Sequence, residues 1–132
     1  MNPTVVPFPA GPVLWVALGG AVGAALRFMI GELFRRGLAP NGIPWGTLLI
    51  NVLGSFVLGY FTRWAVLHEA TPQVRAFVAI GVCGGFTTFS AFALEHFALL
   101  QAGEYARAAT YTLLSLLLTF AAIGVGYAFA RG

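Results

Sequence analysis

Phe89, Phe92, Glu95 and His96 stand at i, i+3, i+6 and i+7, a spacing that puts two aromatic rings, a carboxylate and an imidazole on one face of a helix. The edges of a phenyl ring carry the positive end of its quadrupole, so two rings turned edge-on attract an anion without offering it a fixed charge. The same stripe also satisfies ordinary packing. Asn51 sits in an apolar stretch with Thr47 and Ser55 one turn to either side. A carboxamide in hydrocarbon is costly unless hydrogen-bonded, so Asn51 either ties helices together or lines a polar path. Tyr111, Ser115 and Thr119, spaced four apart, form one polar strip. Their hydroxyls either close onto carbonyls of their own helix or replace water around a moving ion. Arg27, embedded in apolar sequence, must snorkel, pair or face water, and in the last case it concentrates anions nearby. Glu95 lies about 9 Å along a helix from Phe89, at roughly 1.5 Å per residue, which suits a vestibule or an interface. His96 and His68 read as interfacial.

Between residues 81 and 95 the chain reads GVCGGFTTFSAFALE. The paired glycines Gly84 and Gly85 and the β-branched Thr87 and Thr88 weaken a helix, so the third helix is predicted to be regular to about Val82 and broken near residues 83–88. A break at membrane depth is tolerated only where protein or a water-filled cavity satisfies the freed backbone. Carbonyls at the end of the first half-helix carry partial negative charge and suit a bare cation such as sodium. A single cysteine, Cys83, excludes an internal disulfide, and His68 and His96 stand too far from it for metal-ligand spacing. Cys83 reads as a small packing residue.

These groups must be held by membrane helices. In a chain of 132 residues, 59% are apolar and 8% charged, which is outside the range of ordinary soluble domains. The predicted class is an all-α integral membrane protein with four helices, about 13–34, 45–67, 72–100 and 105–130. Each is long enough to cross about 30 Å of hydrocarbon. A transmembrane barrel would need many alternating strands of about ten residues, for which the chain is too short and too continuously apolar. Residues 1–11, with Pro3, Pro7 and Pro9 and no basic side chain, read as an irregular leader without the positive start of a secretory signal, ahead of a single domain at 12–132. Residues 35–44 are dense in turn formers, and Thr71 with Pro72 makes a cap and first-turn pair. Small residues at Gly19 and Gly23, Gly20 and Ala24, Gly54, Gly59, Gly124 and Gly126 are expected at close helix contacts.

Charge is evenly divided. With the N-terminus inside, Arg63, Arg75 and Arg131 face one side and Arg35, Arg36 and Arg107 the other, so the positive-inside rule gives no preference. Opposite copies could then pair about a two-fold axis in the membrane plane, bringing two helix breaks around one cation. Two other classes fit less well. A small proton-coupled drug exporter needs a carboxylate deep in the membrane, whereas Glu32 and Glu95 lie near helix ends. An intramembrane enzyme built on Ser90, His96 and Glu95 has the residue types without a shared catalytic face.

The segments GGAVGAALRF, GTLLINVLGSFVLG and GVCGGFTTFSAFALE, followed by Tyr111, Ser115 and Thr119, resemble in order and spacing the Fluc (CrcB) family of fluoride channels across all four helices. The resemblance implies an antiparallel, dual-topology homodimer in membrane lipid, with no nucleic-acid partner and no enzymatic activity. It implies two fluoride pores and a structural sodium ion at the dimer interface, held by backbone carbonyls among Gly84, Gly85, Thr87 and Thr88. The implied function is passive fluoride export across the bacterial inner membrane. Matched to the family's motifs, Phe89 and Phe92 are the aromatic box and Asn51 the fluoride-coordinating amide. Tyr111, Ser115 and Thr119 are the polar track, with Ser90 also at the pore, and Arg27 and Glu95 belong to the vestibules. Phe86, where an aliphatic residue is as common, and Thr119, where serine is usual, depart from the pattern without removing a ring of the box or a hydroxyl.

Overall fold

The computed structural model describes residues 10–35 and 42–131, and these are all-helical apart from turns and short extended links. The leader expected at residues 1–11 lies outside the described residues up to position 9, as do residues 36–41 of the turn-rich loop. Helix α1 spans Ala10–Leu33 and α2 spans Trp45–Leu67. The start of α1 takes in Pro12, which is compatible with a first turn because the N–H it lacks would have no intrahelical partner there.

Helix α3 covers residues 72–86. Thr71 caps it by accepting from the Val74 amide, and Pro72 occupies the first turn. Arg75 reaches back to donate to the carbonyls of Ala70 at 3.0 Å and Ala65 at 2.7 Å, satisfying acceptors at the end of α2. The helix is α-helical over Pro72–Arg75, π-helical over Ala76–Cys83 and α-helical again over Gly84–Phe86. The expectation of a regular helix to about Val82 is therefore corrected, and the break expected near residues 83–88 falls at Thr87 and Thr88. The register widens from Ala76, and the chain leaves the helix only at Thr87 and Thr88, which are extended (ψ 155° and 117°). Gly84 and Gly85 remain helical, and Gly85 sits so close to α1 that a Cβ there would lie 2.6 Å from the Gly20 carbonyl. That contact with α1 explains why glycine stands at position 85.

Helix α4, Phe89–Gln101, completes the third span, and a turn at Gly103 (φ 74°) leads into α5, Tyr105–Phe129. Four stretches, Gly11–Leu33, Trp45–Leu67, Pro72–Gln101 and Tyr105–Phe129, are long and apolar enough to cross a bilayer, so the chain is a multi-pass membrane protein.

The spans associate as two tight pairs, α1 with α3 and α2 with α5. In lipid there is no hydrophobic drive between helices, so close van der Waals contact must supply it. A Cβ at Gly19 or Gly23 would overlap the carbonyl of Phe77 or Val82, and one at Gly59 or Gly126 would overlap that of Ile123 or Phe56. Gly20 and Gly124 do not share this role, since a Cβ at either meets nothing within 4 Å. Many large apolar side chains on the outer faces, among them Phe28, Met29, Phe97 and Phe120, are exposed on the single chain, as a lipid-facing or partner-facing surface requires. Replacing Gly59 or Gly126 by valine is expected to lower stability by about 1–3 kcal/mol or more, the cost of overpacking. The unfolding midpoint in detergent reads this directly, and Gly124→Val should leave it unchanged.

Candidate functional site

The break in the third span is held by one side chain. Asn51, two turns into α2, accepts from the Thr88 amide through Oδ1 at 2.8 Å and donates to the Thr88 carbonyl through Nδ2 at 3.1 Å. The carboxamide thus replaces both backbone bonds that the extended residue has lost to the helix. Thr88, itself buried, accepts from the Ala91 amide at 3.1 Å and so caps α4. The Thr87 amide and hydroxyl both donate to the Cys83 carbonyl. Gly84, Gly85 and Phe86 form the last helical turn of α3, and Thr87 is the first residue beyond it. Thr88 follows, its carbonyl accepting from Asn51. Among the described residues no cluster of three His, Cys, Asp or Glu side chains could hold a metal.

Beside the break lies a groove of about 260 Å³ between α2, α4 and α5, walled by Asn51, Ser55, Thr88, Phe89, Phe92, Ser115 and Thr119 together with Leu58, Thr87 and Leu116. Its polar groups differ in what they can still do. Thr119 donates to the Ser115 carbonyl at 2.6 Å, the local back-bond available to a helical threonine. Asn51 has one of its two N–H groups committed to Thr88. Ser115, only 7% exposed, has a buried hydroxyl oxygen with no hydrogen-bond partner among the described residues. Such a group costs stability unless it serves a guest or a function. The rings of Phe89 and Phe92 stand 5.6 Å apart at 42°, and Phe92 lies 5.1 Å from Tyr111. Phe89 is 79% exposed on the single chain.

Not every predicted residue reaches this groove. Tyr111 is fully buried and donates to Glu95 Oε2 at 2.7 Å, while Thr47 donates to Glu95 Oε1 at 2.7 Å. Glu95 is therefore clasped by two hydroxyls from α2 and α5. Ser90 is exposed, with its hydroxyl 3.2 Å from that of Thr88. His96 is half-buried, its Nδ1 2.9 Å from Thr112 Oγ1. Ser90, His96 and Glu95 thus bond to three different neighbourhoods and make no catalytic relay. Arg27 is half-buried on α1 and has no ion-pair partner among the described residues. Thr47 is the participant that residue types alone left unassigned. Its place one turn before Asn51 on the same face was the available signal.

Fold and site together define a small all-helical membrane protein with a broken span and a polar, ring-walled groove at the break. A family model described as "CrcB-like protein, Camphor Resistance (CrcB)" matches residues 14–127. The chain belongs to this family. It is 48% identical over 120 residues to a protein of Ruegeria sp. (strain TM1040), covering 91% of this chain and 94% of that one. It is 45% identical over 114 residues to one from Thermus thermophilus, covering 86% and 90%. A protein of Nitrobacter winogradskyi is 42% identical over 120 residues, covering 90% and 94%. All three relatives carry the name "Fluoride-specific ion channel FluC".

Asn51→Leu should leave the Thr88 N–H and C=O unmet and lower stability by about 1–3 kcal/mol per orphaned group. The unfolding midpoint and faster amide exchange at residues 87–91 measure it. An unchanged midpoint with unchanged exchange would show that Asn51 does not hold the break.

Proposed function

We propose that this protein is a passive fluoride channel and no enzyme, and that the groove beside the helix break is its conduction path. The observation that carries this reading is the buried, partnerless Ser115 hydroxyl in a groove that also presents the Asn51 amide and the Phe92 ring. The naming of the relatives as fluoride-specific channels supports the choice of ion. Fluoride is small and strongly hydrated, so a path for it must replace water with several donors without trapping the ion behind a full charge. Ser115 donates its O–H and Asn51 its second N–H, while Phe89 and Phe92 supply a weak, releasable attraction at their ring edges. Thr119, whose proton is committed to the Ser115 carbonyl, acts as wall rather than donor. Tyr111 contributes indirectly by holding Glu95 and packing on Phe92. Ser90 and Arg27 stand outside the groove, with Arg27 as an attractor of anions at a vestibule.

The assembly belongs to the same proposal. Phe89 projects from the single chain, so a pore walled by its ring needs a second surface. An antiparallel homodimer with dual topology supplies that surface and gives two pores, in keeping with the balanced arginines. A sodium ion at the dimer centre would be held by carbonyls among Gly84, Gly85, Phe86 and Thr87, with Thr88 weaker because Asn51 engages its carbonyl. When bound, it contributes fixed positive charge that ties the two breaks together. The protein resides in the bacterial inner membrane. Hydrogen fluoride enters as the neutral acid and ionises inside, and each 100 mV of inside-negative potential favours export of the anion by about 2.3 kcal/mol.

Purified protein in liposomes should release fluoride rapidly after addition of a potassium ionophore, with chloride retained. Loss of both ions at similar rates, or of neither, would overturn the reading. Ser115→Ala removes a donor to an anion, an interaction of about 1.5–3 kcal/mol, and should slow fluoride release about tenfold or more. Phe92→Ile should nearly abolish release while the protein remains assembled by size-exclusion chromatography.

A further inference from the structure

Three contacts fix how α2 lies against α5. Thr47 and Tyr111 both donate to Glu95, a Cβ at Gly59 would overlap the Ile123 carbonyl, and the Arg63 guanidinium lies 5.3 Å from the centre of the Tyr127 ring. Each of these pairs is 64 positions apart in the sequence, so the two helices run parallel and in step over about four turns. The same interval pairs Asn51 with Ser115 and Ser55 with Thr119, at successive levels about 6 Å apart along the bundle. All four residues line the groove beside the break.

The hydroxyls of the groove are not equally free. Thr87 donates to the Cys83 carbonyl, and Thr88 caps α4 and lies 3.2 Å from the Ser90 hydroxyl. Thr119 turns its proton to the Ser115 carbonyl at 2.6 Å, with the Leu116 carbonyl 3.2 Å away, so it offers the groove an oxygen and no donor. Ser55, facing it from α2, is half-buried and makes no hydrogen bond among the described residues. It lacks even the back-bond to the carbonyl four residues earlier that a helical serine can make.

We propose that Ser55 is the donor that carries fluoride past the Thr119 level, an inference that rests on the fluoride-channel reading of the groove. An anion stripped of water needs a donor at each step of its path. At the level of Asn51 and Ser115 both walls supply one. At the next level the remaining wall is Leu58, Leu116 and the closed Thr119, and the Ser55 hydroxyl is the donor on offer. Turning that O–H toward the ion breaks no bond within the chain, so the exchange with water is not opposed by a lost internal partner.

Fluoride release from liposomes in the presence of a potassium ionophore tests this. Ser55→Ala removes the hydroxyl with little change of size and suits a helix at least as well as serine does. Release should slow about tenfold or more, the order expected for one lost donor to an anion, while the unfolding midpoint in detergent and the assembled size stay at their wild-type values. Thr119→Val removes a hydroxyl already closed on its own helix and should slow release by less than about threefold. Wild-type release from Ser55→Ala, or a loss in Thr119→Val as large as that in Ser55→Ala, overturns the proposal while leaving the channel reading intact. So does a midpoint or assembled size that falls together with release in Ser55→Ala, since the hydroxyl would then be a structural tie. Absence of fluoride release from the wild type overturns both.

Discussion

A peptide group in hydrocarbon must be hydrogen-bonded by something other than water, and here the two bonds between Asn51 and Thr88 meet that demand at the broken span. They fix where α3 ends and where α4 restarts. The rotation of α4 follows from that point, and with it the direction in which Phe89, Phe92, Glu95 and His96 face. The clamp depends on how closely α2 approaches. At Gly54, one turn from Asn51, an added Cβ would collide with the Thr87 side chain and crowd the Phe86 ring. A glycine on one helix therefore lets an amide on the next turn reach the backbone of another.

The rest of the bundle keeps that approach in place. The pairs α1–α3 and α2–α5 meet backbone against backbone at Gly19, Gly23, Gly59 and Gly126, which suits a medium in which contact area rather than exclusion of water holds helices together. The shorter α4 is held by its cap at Thr88 and by the Glu95 carboxylate, which bridges Thr47 on α2 and Tyr111 on α5. The groove lies between these supports. Its hydroxyls are divided by what they already bond, with Thr119 closed on its own helix and Ser115 buried without a partner among the described residues.

Composition and segment length determined an all-helical, four-span membrane protein, because hydrocarbon thickness and the need for internal hydrogen bonds leave few other options for such a chain. Glycine spacing marked the close contacts, except at Gly20 and Gly124, where an added Cβ meets nothing within 4 Å, since spacing names a stripe without saying which helix lies over it. The third span carried a legible warning in its glycines and threonines, but the residue types could not separate a glycine that packs from one that breaks. The presence of α1 against Gly85 decided that. Likewise the stripe Tyr111, Ser115 and Thr119 read as one track from its period, whereas the fold sends the Tyr111 hydroxyl to Glu95 and the Thr119 hydroxyl to its own helix, and of the two that wall the groove it leaves Ser115 without a partner among the described residues. Period places side chains on a face, and a hydroxyl's partner depends on what stands opposite. Asn51 was marked by its cost in an apolar helix, and that cost is all that one chain segment can reveal. Which backbone group it would satisfy required the third span to be folded against the second.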